Sequence, residues 1–260
     1  MQYKHHANLQ IDGPPLDQVK INFSEAVNYS QYPFSLKIVK SLTDLKFPTQ
    51  VTFLVGENGT GKSTILEAIA CNAGLGLEGG SKNFSFNTTT NSTQDPAQKL
   101  AEQMTLSWRY KPKNSYFFRA ESFFNLASYI DTIAKEDHAI YSSYGGKSLH
   151  EQSHGESFFA FFSNRLGTDG FFIFDEPEAA LSPQRQLSLM RIMHEMCQNP
   201  QSQFIIATHS PILLAYPDAT IYSCDSGVLT KIDYQETEHY KITKNFLDHP
   251  ERYLHHLFKN

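Results

Sequence analysis

Eight consecutive residues, Gly56-Glu57-Asn58-Gly59-Thr60-Gly61-Lys62-Ser63, restrict this chain more than any other stretch. They follow 51–55, a continuous apolar run rich in β-branched residues that suits a strand buried on both faces. They precede 63–73, a helix-compatible stretch that stops before the glycines around Gly74 to Gly80. In such a strand–loop–helix unit the glycines let successive backbone N–H groups turn inward around phosphate oxygens. The helix that starts near Ser63 adds the positive end of its dipole. The spacing GxxxxGKS is that of the Walker A phosphate loop. It makes Gly56, Asn58, Gly59, Thr60, Gly61, Lys62, Ser63 and Thr64 the candidate nucleotide-binding residues. Lys62 would reach the β- and γ-phosphates, and the Ser63 hydroxyl would ligate Mg²⁺.

The remaining sequence keeps alternating strands with helices. Residues 19–23 and 34–39 alternate in a strand-like way, and 106–110 with 116–119 flank Lys111-Pro112-Lys113-Asn114 as a hairpin or strand pair. Residues 171–174 and 204–207 read as further buried strands, with an amphipathic helix over 183–197 between them. Helical spacing recurs over 122–134 and, after the Gly145-Gly146 turn, over 158–166. The Ser/Thr/Asn tract 81–95 has little to bury and reads as a mobile loop. The tail offers a strand pair at 220–225 and 228–233, then a helix carrying Phe246 and Leu254. This order predicts an α/β fold with a mainly parallel sheet and helices on both faces. With no repeat and no clear linker, 1–260 reads as a single domain.

The run Phe171-Phe172-Ile173-Phe174-Asp175-Glu176 puts two carboxylates at the C-terminal end of a buried strand, the edge at which parallel sheets bind ligands. Asp175 would hold Mg²⁺, directly or through water, and Glu176 would orient and polarise the attacking water. Phosphoryl transfer needs mostly positioning and charge stabilisation, so these two groups and the glycine loop supply most of hydrolysis. A solvated acidic strand end is the bland alternative, and the phosphate loop upstream weighs against it.

Three further segments extend the pattern. Ser153-His154-Gly155-Glu156 resembles the signature motif of the ATP-binding-cassette (ABC) family, Glu178-Ala179-Ala180-Leu181-Ser182-Pro183 its D-loop, and Ala207-Thr208-His209-Ser210-Pro211 its switch-histidine segment. Their order and intervals also resemble that family's. The resemblance implies a P-loop core, an antiparallel β subdomain and a helical subdomain bearing the signature, within an approximate helical or insert region 75–165. It also implies two subunits sandwiching two ATP molecules, with Ser153 and Gly155 of one subunit capping the nucleotide held by the other. His209 would contact the γ-phosphate and help Glu176 hold the water. Alone, Ser-His-Gly-Glu would read as a helix cap. His154 stands where the transporter signature has its first glycine and Glu156 where it has glutamine, so Glu156 either points away or bonds the helix backbone. No glutamine follows the strand ending at Arg119. Glu121 stands there, either as a metal- or water-linked equivalent or as a helix N-terminal carboxylate. Tyr29, Tyr32 and Phe34 are equal candidates for the adenine contact.

The string Asp175-Glu176-Pro177-Glu178-Ala179-Ala180-Leu181-Ser182 and the Gly-Glu-Asn-Gly of the loop look like soluble ABC ATPases of the SMC, RecF and AAA-type groups. Transport subunits carry a different string. The whole chain resembles compact bacterial ATPases of that kind, including Phe118-Arg119-Ala120-Glu121-Ser122 and Phe246-Leu247-Asp248-His249-Pro250-Glu251-Arg252. The favoured expectation is a soluble ATPase, with ATP and Mg²⁺ as cofactors, whose ATP-driven homodimerisation switches an unnamed partner protein or nucleic-acid complex in repair or phage defence. The alternatives are the nucleotide-binding subunit of an ABC transporter and a switch with negligible turnover. The formal net charge of −5 offers no bulk attraction to nucleic acid. Three separated cysteines, no apolar run near the roughly 20 residues of a membrane span, and no signal-peptide pattern predict a cytoplasmic protein without membrane insertion.

Overall fold

The computed structural model describes residues 13–76, 80–81, 84–85, 95–120, 123–135, 138–144, 146–148 and 169–259. The strands are β1 (Leu16–Ile21), β2 (Asp44–Lys46), β3 (Val51–Val55), β4 (Gly80–Ser81), β5 (Phe84–Ser85), β6 (Met104–Trp108), β7 (Asn114–Arg119), β8 (Gly170–Asp175), β9 (Ser202–Ala207), β10 (Thr220–Ser223) and β11 (Thr230–Ile232). The helices are α1 (Lys37–Ser41), α2 (Lys62–Asn72), α3 (Pro96–Ala101), α4 (Phe123–Ala134), α5 (Pro183–Cys197), α6 (Pro211–Leu214), α7 (Glu238–Asp248) and α8 (Pro250–Leu257).

The main sheet has the order β11-β10-β3-β9-β8-β7-β4-β5. β10, β3, β9, β8 and β7 run parallel, while β11 and the β4–β5 pair join antiparallel at its two ends. Alternation in the parallel strands feeds both faces. Phe172, Phe174, Phe204 and Ile206 pack with Val51, Phe53 and α5 residues Leu189 and Met193 on one side. Phe171, Ile173, Ile205 and Leu54 pack with α2 residues Ile65, Leu66 and Ile69 on the other. Both faces being covered is why 51–55, 171–174 and 204–207 read as largely apolar runs.

A second, antiparallel sheet, β2-β1-β6, closes over the α2 side. Gln203 of β9 joins the two sheets: Leu16 N–H donates to its Oε1 at 2.7 Å, and its Nε2 donates to Leu16 O at 2.9 Å. Trp108 of β6 sets its ring edge-on to Phe171 of β8, with centroids 5.0 Å apart.

Three sequence expectations change. Residues 34–39 do not form a strand. Phe34, Ile38, Val39 and Leu42 are the buried positions, a helical spacing, and α1 forms there. β6 and β7 do not pair with each other, because β6 bonds β1 while β7, buried along most of its length, bonds β8 in parallel. The single tail helix is two, interrupted at His249, whose non-helical backbone (φ −143°, ψ 59°) precedes Pro250. The predicted helix 158–166 lies outside the described residues, as does most of the 81–95 tract, where β4 and β5 are short.

Candidate functional site

Parallel register brings the ends of β10, β3, β9, β8 and β7 to one edge, with Ser223 beside Val55, Asp175 beside Ala207, and Arg119 beside Asp175. The ladders continue one residue further and fix where each loop begins. Cys224 N donates to Val55 O at 2.8 Å, Thr208 N to Leu54 O at 3.2 Å, and Glu176 N to Ala207 O at 2.9 Å.

The glycine loop leaves β3 at Gly56 (φ 145°) and enters α2 through Gly61 (φ 101°), a left-handed conformation that a Cβ would also crowd at 2.8 Å from Ile38. Thr60 Oγ1 donates to Glu57 O at 2.8 Å and braces the turn. Asp225, beyond β10, accepts from Glu57 N at 2.8 Å. Lys62 is buried, and its Nζ donates to Gly56 O at 2.6 Å and Glu57 O at 3.1 Å. Burial pulls its ammonium below the ordinary lysine value, against the opposing pull of Glu176, Cys224, Asp175 and Asp225. Ser63 Oγ donates to Asp175 Oδ1 at 3.0 Å. Two hard oxygens side by side at a helix N-terminus fit Mg²⁺, which keeps few protein ligands and completes its shell with water and phosphate oxygens.

A cleft of about 140 Å³ runs along this loop, lined by Tyr32, Leu36, Asn58, Gly59, Gly61, Lys62, Ser63, Thr64 and Glu176. Tyr32 shares a 2.7 Å hydrogen bond with Thr64 Oγ1. Of the three aromatic candidates Tyr32 alone lines the cleft, since Phe34 is buried in the core and Tyr29 packs on Phe23.

Glu176 sits next to His209, its Oε1 3.2 Å from His209 Nε2, a close approach whose angle does not make a hydrogen bond. His209 N donates to Glu178 Oε1 at 2.5 Å. Burial pushes the Glu178 carboxyl up, while that backbone N–H pulls it back down. The site thus gathers the Walker-type residues, Asp175, Glu176 and His209. Ser153, Gly155 and Glu121 lie outside the described residues.

Several groups at this edge escape sequence reading. His239 of α7 meets His209 ring to ring, with His239 Nε2 2.8 Å from His209 Nδ1. Arg119 pairs with Glu67 of α2 at 2.8 Å and stands 3.8 Å from Asp175 Oδ2, bridging α2, β7 and β8. Gln186 of α5 accepts from Ser210 Oγ and so fixes the turn after His209. Asp225 lies 168 residues from its partner Glu57, so no local pattern joins them. Arg119 at the end of a strand beside the Asp175 strand is the one member of this group that spacing could have suggested.

Among the described residues no helix is long and apolar enough to cross a membrane. Two protein-family models match. One, described as "AAA domain", covers residues 28–157, half of the chain. The other, described as "AAA domain, putative AbiEii toxin, Type IV TA system", covers residues 100–215. No curated protein matches. Among solved structures, the SMC head domain from Thermotoga maritima is 16% identical, with 84% of this chain and 98% of that one covered and a TM-score of 0.43. CbiO1 from Clostridium perfringens, part of the ABC transporter complex CbiONQ, is 18% identical, with 92% and 97% covered and a TM-score of 0.47. At such scores neither likeness adds to the strand order already described. With the family model spanning residues 28–157 and a phosphate loop between β3 and α2, the chain belongs to the AAA-domain family of P-loop ATPases.

Proposed function

We propose that this ATPase is of the ABC type, hydrolysing ATP with Mg²⁺ in a head-to-tail homodimer that switches the state of a partner complex. The observation that carries the reading is the convergence of Lys62, Ser63, Asp175, Glu176 and His209 at one sheet edge, from the segments that follow three strands, β3, β8 and β9. Backbone N–H groups of Asn58 to Ser63 and the α2 N-terminus would hold the β- and γ-phosphates, with Thr64 in the first turn. Lys62 would exchange the loop carbonyls for phosphate oxygens, which bear more charge. Ser63 and Asp175 would hold the metal, which when bound neutralises charge building between the β- and γ-phosphates. Tyr32 is the adenine-side aromatic that the cleft supports.

Glu176 would accept a hydrogen bond from the attacking water and align it for in-line attack. His209 would donate from its ring to the γ-phosphate side. In the dimer, Ser153 and Gly155 of the second subunit would cap the triphosphate, with Glu121 as the link to metal or water. These three roles come from the sequence pattern. The toxin–antitoxin wording of one matched family is in keeping with a partner in phage defence.

Glu176→Gln tests the reading. ATP binding should persist within about threefold while Mg²⁺-dependent phosphate release falls about 100-fold or more. Release at the parent rate would remove Glu176 from the water-orienting role.

A further inference from the structure

We propose that His239 is the positioning residue of His209, fixing its ring orientation and keeping its hydrogen on Nε2. This rests on the reading of His209 as the donor on the γ-phosphate side.

His209 Nδ1 and His239 Nε2 lie 2.8 Å apart, so a single hydrogen occupies the line between them. Burial, and then the neighbouring His209 ring, pull His239 below the ordinary histidine value, which leaves that ring neutral at neutral pH. A neutral His239 either donates from Nε2 or accepts there. The other ring nitrogen of His209 decides between them. It faces the Glu176 carboxylate at 3.2 Å, where a lone pair would be repelled and an N–H attracted, even at an imperfect angle. In a neutral His209 ring with its hydrogen on Nε2, Nδ1 accepts and His239 Nε2 donates.

His239 is held for the task by its own element. It is the second residue of α7, whose N-cap Thr237 is buried and accepts from Tyr240 N at 3.3 Å. Tyr234, three residues before the cap, donates from its hydroxyl to Pro211 O at 2.9 Å, at the start of α6 and two residues after His209. Both imidazoles therefore ride on one braced unit. The charged groups facing the pair are Glu176 and Glu178 from the β8 side, Glu57 and Lys62 from the phosphate loop, and Asp225 beyond β10. No second donor for His209 Nδ1 is present among the described residues. Losing His239 would leave the ring free to rotate or to move its hydrogen to Nδ1, presenting a lone pair where a donor is needed.

The test combines ring-nitrogen spectroscopy on isotope-labelled histidine with steady-state kinetics, His209 being assigned by loss of its signals in His209→Asn. In the parent, His209 should show a protonated Nε2 and an unprotonated Nδ1. His239→Ala should move those signals toward a tautomer mixture and lower kcat about 10-fold, with KM within about twofold. His239→Gln, whose side-chain amide can place a donor near the lost Nε2, should restore both the parent signals and most of kcat. Unchanged His209 signals in His239→Ala, or a parent His209 already protonated on Nδ1, would overturn the proposal. Displaced signals with unchanged kcat would support His239 as the positioning residue and count against His209 in the chemistry, so the two ideas fail separately.

Discussion

Glu176 adopts φ 50° and ψ 52°, the left-handed region that most side chains avoid. For a non-glycine residue this costs roughly 1–2 kcal/mol. Glycine would remove that cost but add roughly 0.5–1 kcal/mol of freedom to the unfolded chain. Glu176→Gly should therefore gain about 1 kcal/mol of stability, roughly 2–4 °C in Tm by calorimetry, while hydrolysis is lost. A lower Tm would mean that the carboxylate's approach to His209 contributes more than the backbone strain takes away. At this scale the motif residues could be read directly, because Lys62, Ser63, Asp175 and Glu176 belong to short local patterns. The left-handed bend at Glu176 could not, since no local pattern marks a glutamate for that conformation. His239 was equally hidden: a histidine early in a tail helix carries no local sign that another ring lies against it.

The elements show what periodicity can and cannot tell. β3, β8 and β9 are largely apolar and buried along their whole length, and the Ser182-Pro183 start of α5 gives a cap and a fixed first residue, so their places were readable. Pairing was not. β6 and β7 are neighbours in sequence, yet each is claimed by a strand far along the chain. Nor did the sequence show that Gln203, fully buried in β9, would act as a strand partner for Leu16. Gln203→Leu fits the apolar surroundings but strands one buried N–H and one buried C=O, at roughly 1–3 kcal/mol each. We expect urea unfolding to give a loss of about 2–4 kcal/mol with an unchanged slope. A loss below about 0.5 kcal/mol would mean that water reaches Leu16 instead.

For the whole molecule, the site described on one chain has the phosphate loop and the water-side groups but takes its proposed cap from a second copy. ATPase activity should accordingly rise faster than linearly with protein concentration. Ser153→Arg should abolish turnover while leaving monomer nucleotide affinity unchanged within about threefold. Strictly proportional activity down to dilute protein, or full turnover in Ser153→Arg, would remove the sandwich. The Leu16–Gln203 latch also bears on how the protein is made. Its two halves are separated by 187 residues. At about 5–20 residues per second on a ribosome, Gln203 emerges roughly 10–40 s after Leu16. Through that interval β1 has no glutamine to dock on, and β3 stands without β9 beside it. The phosphate loop is therefore translated early but is framed only once β9 has emerged, and until then ATP in the cell has nothing complete to grip.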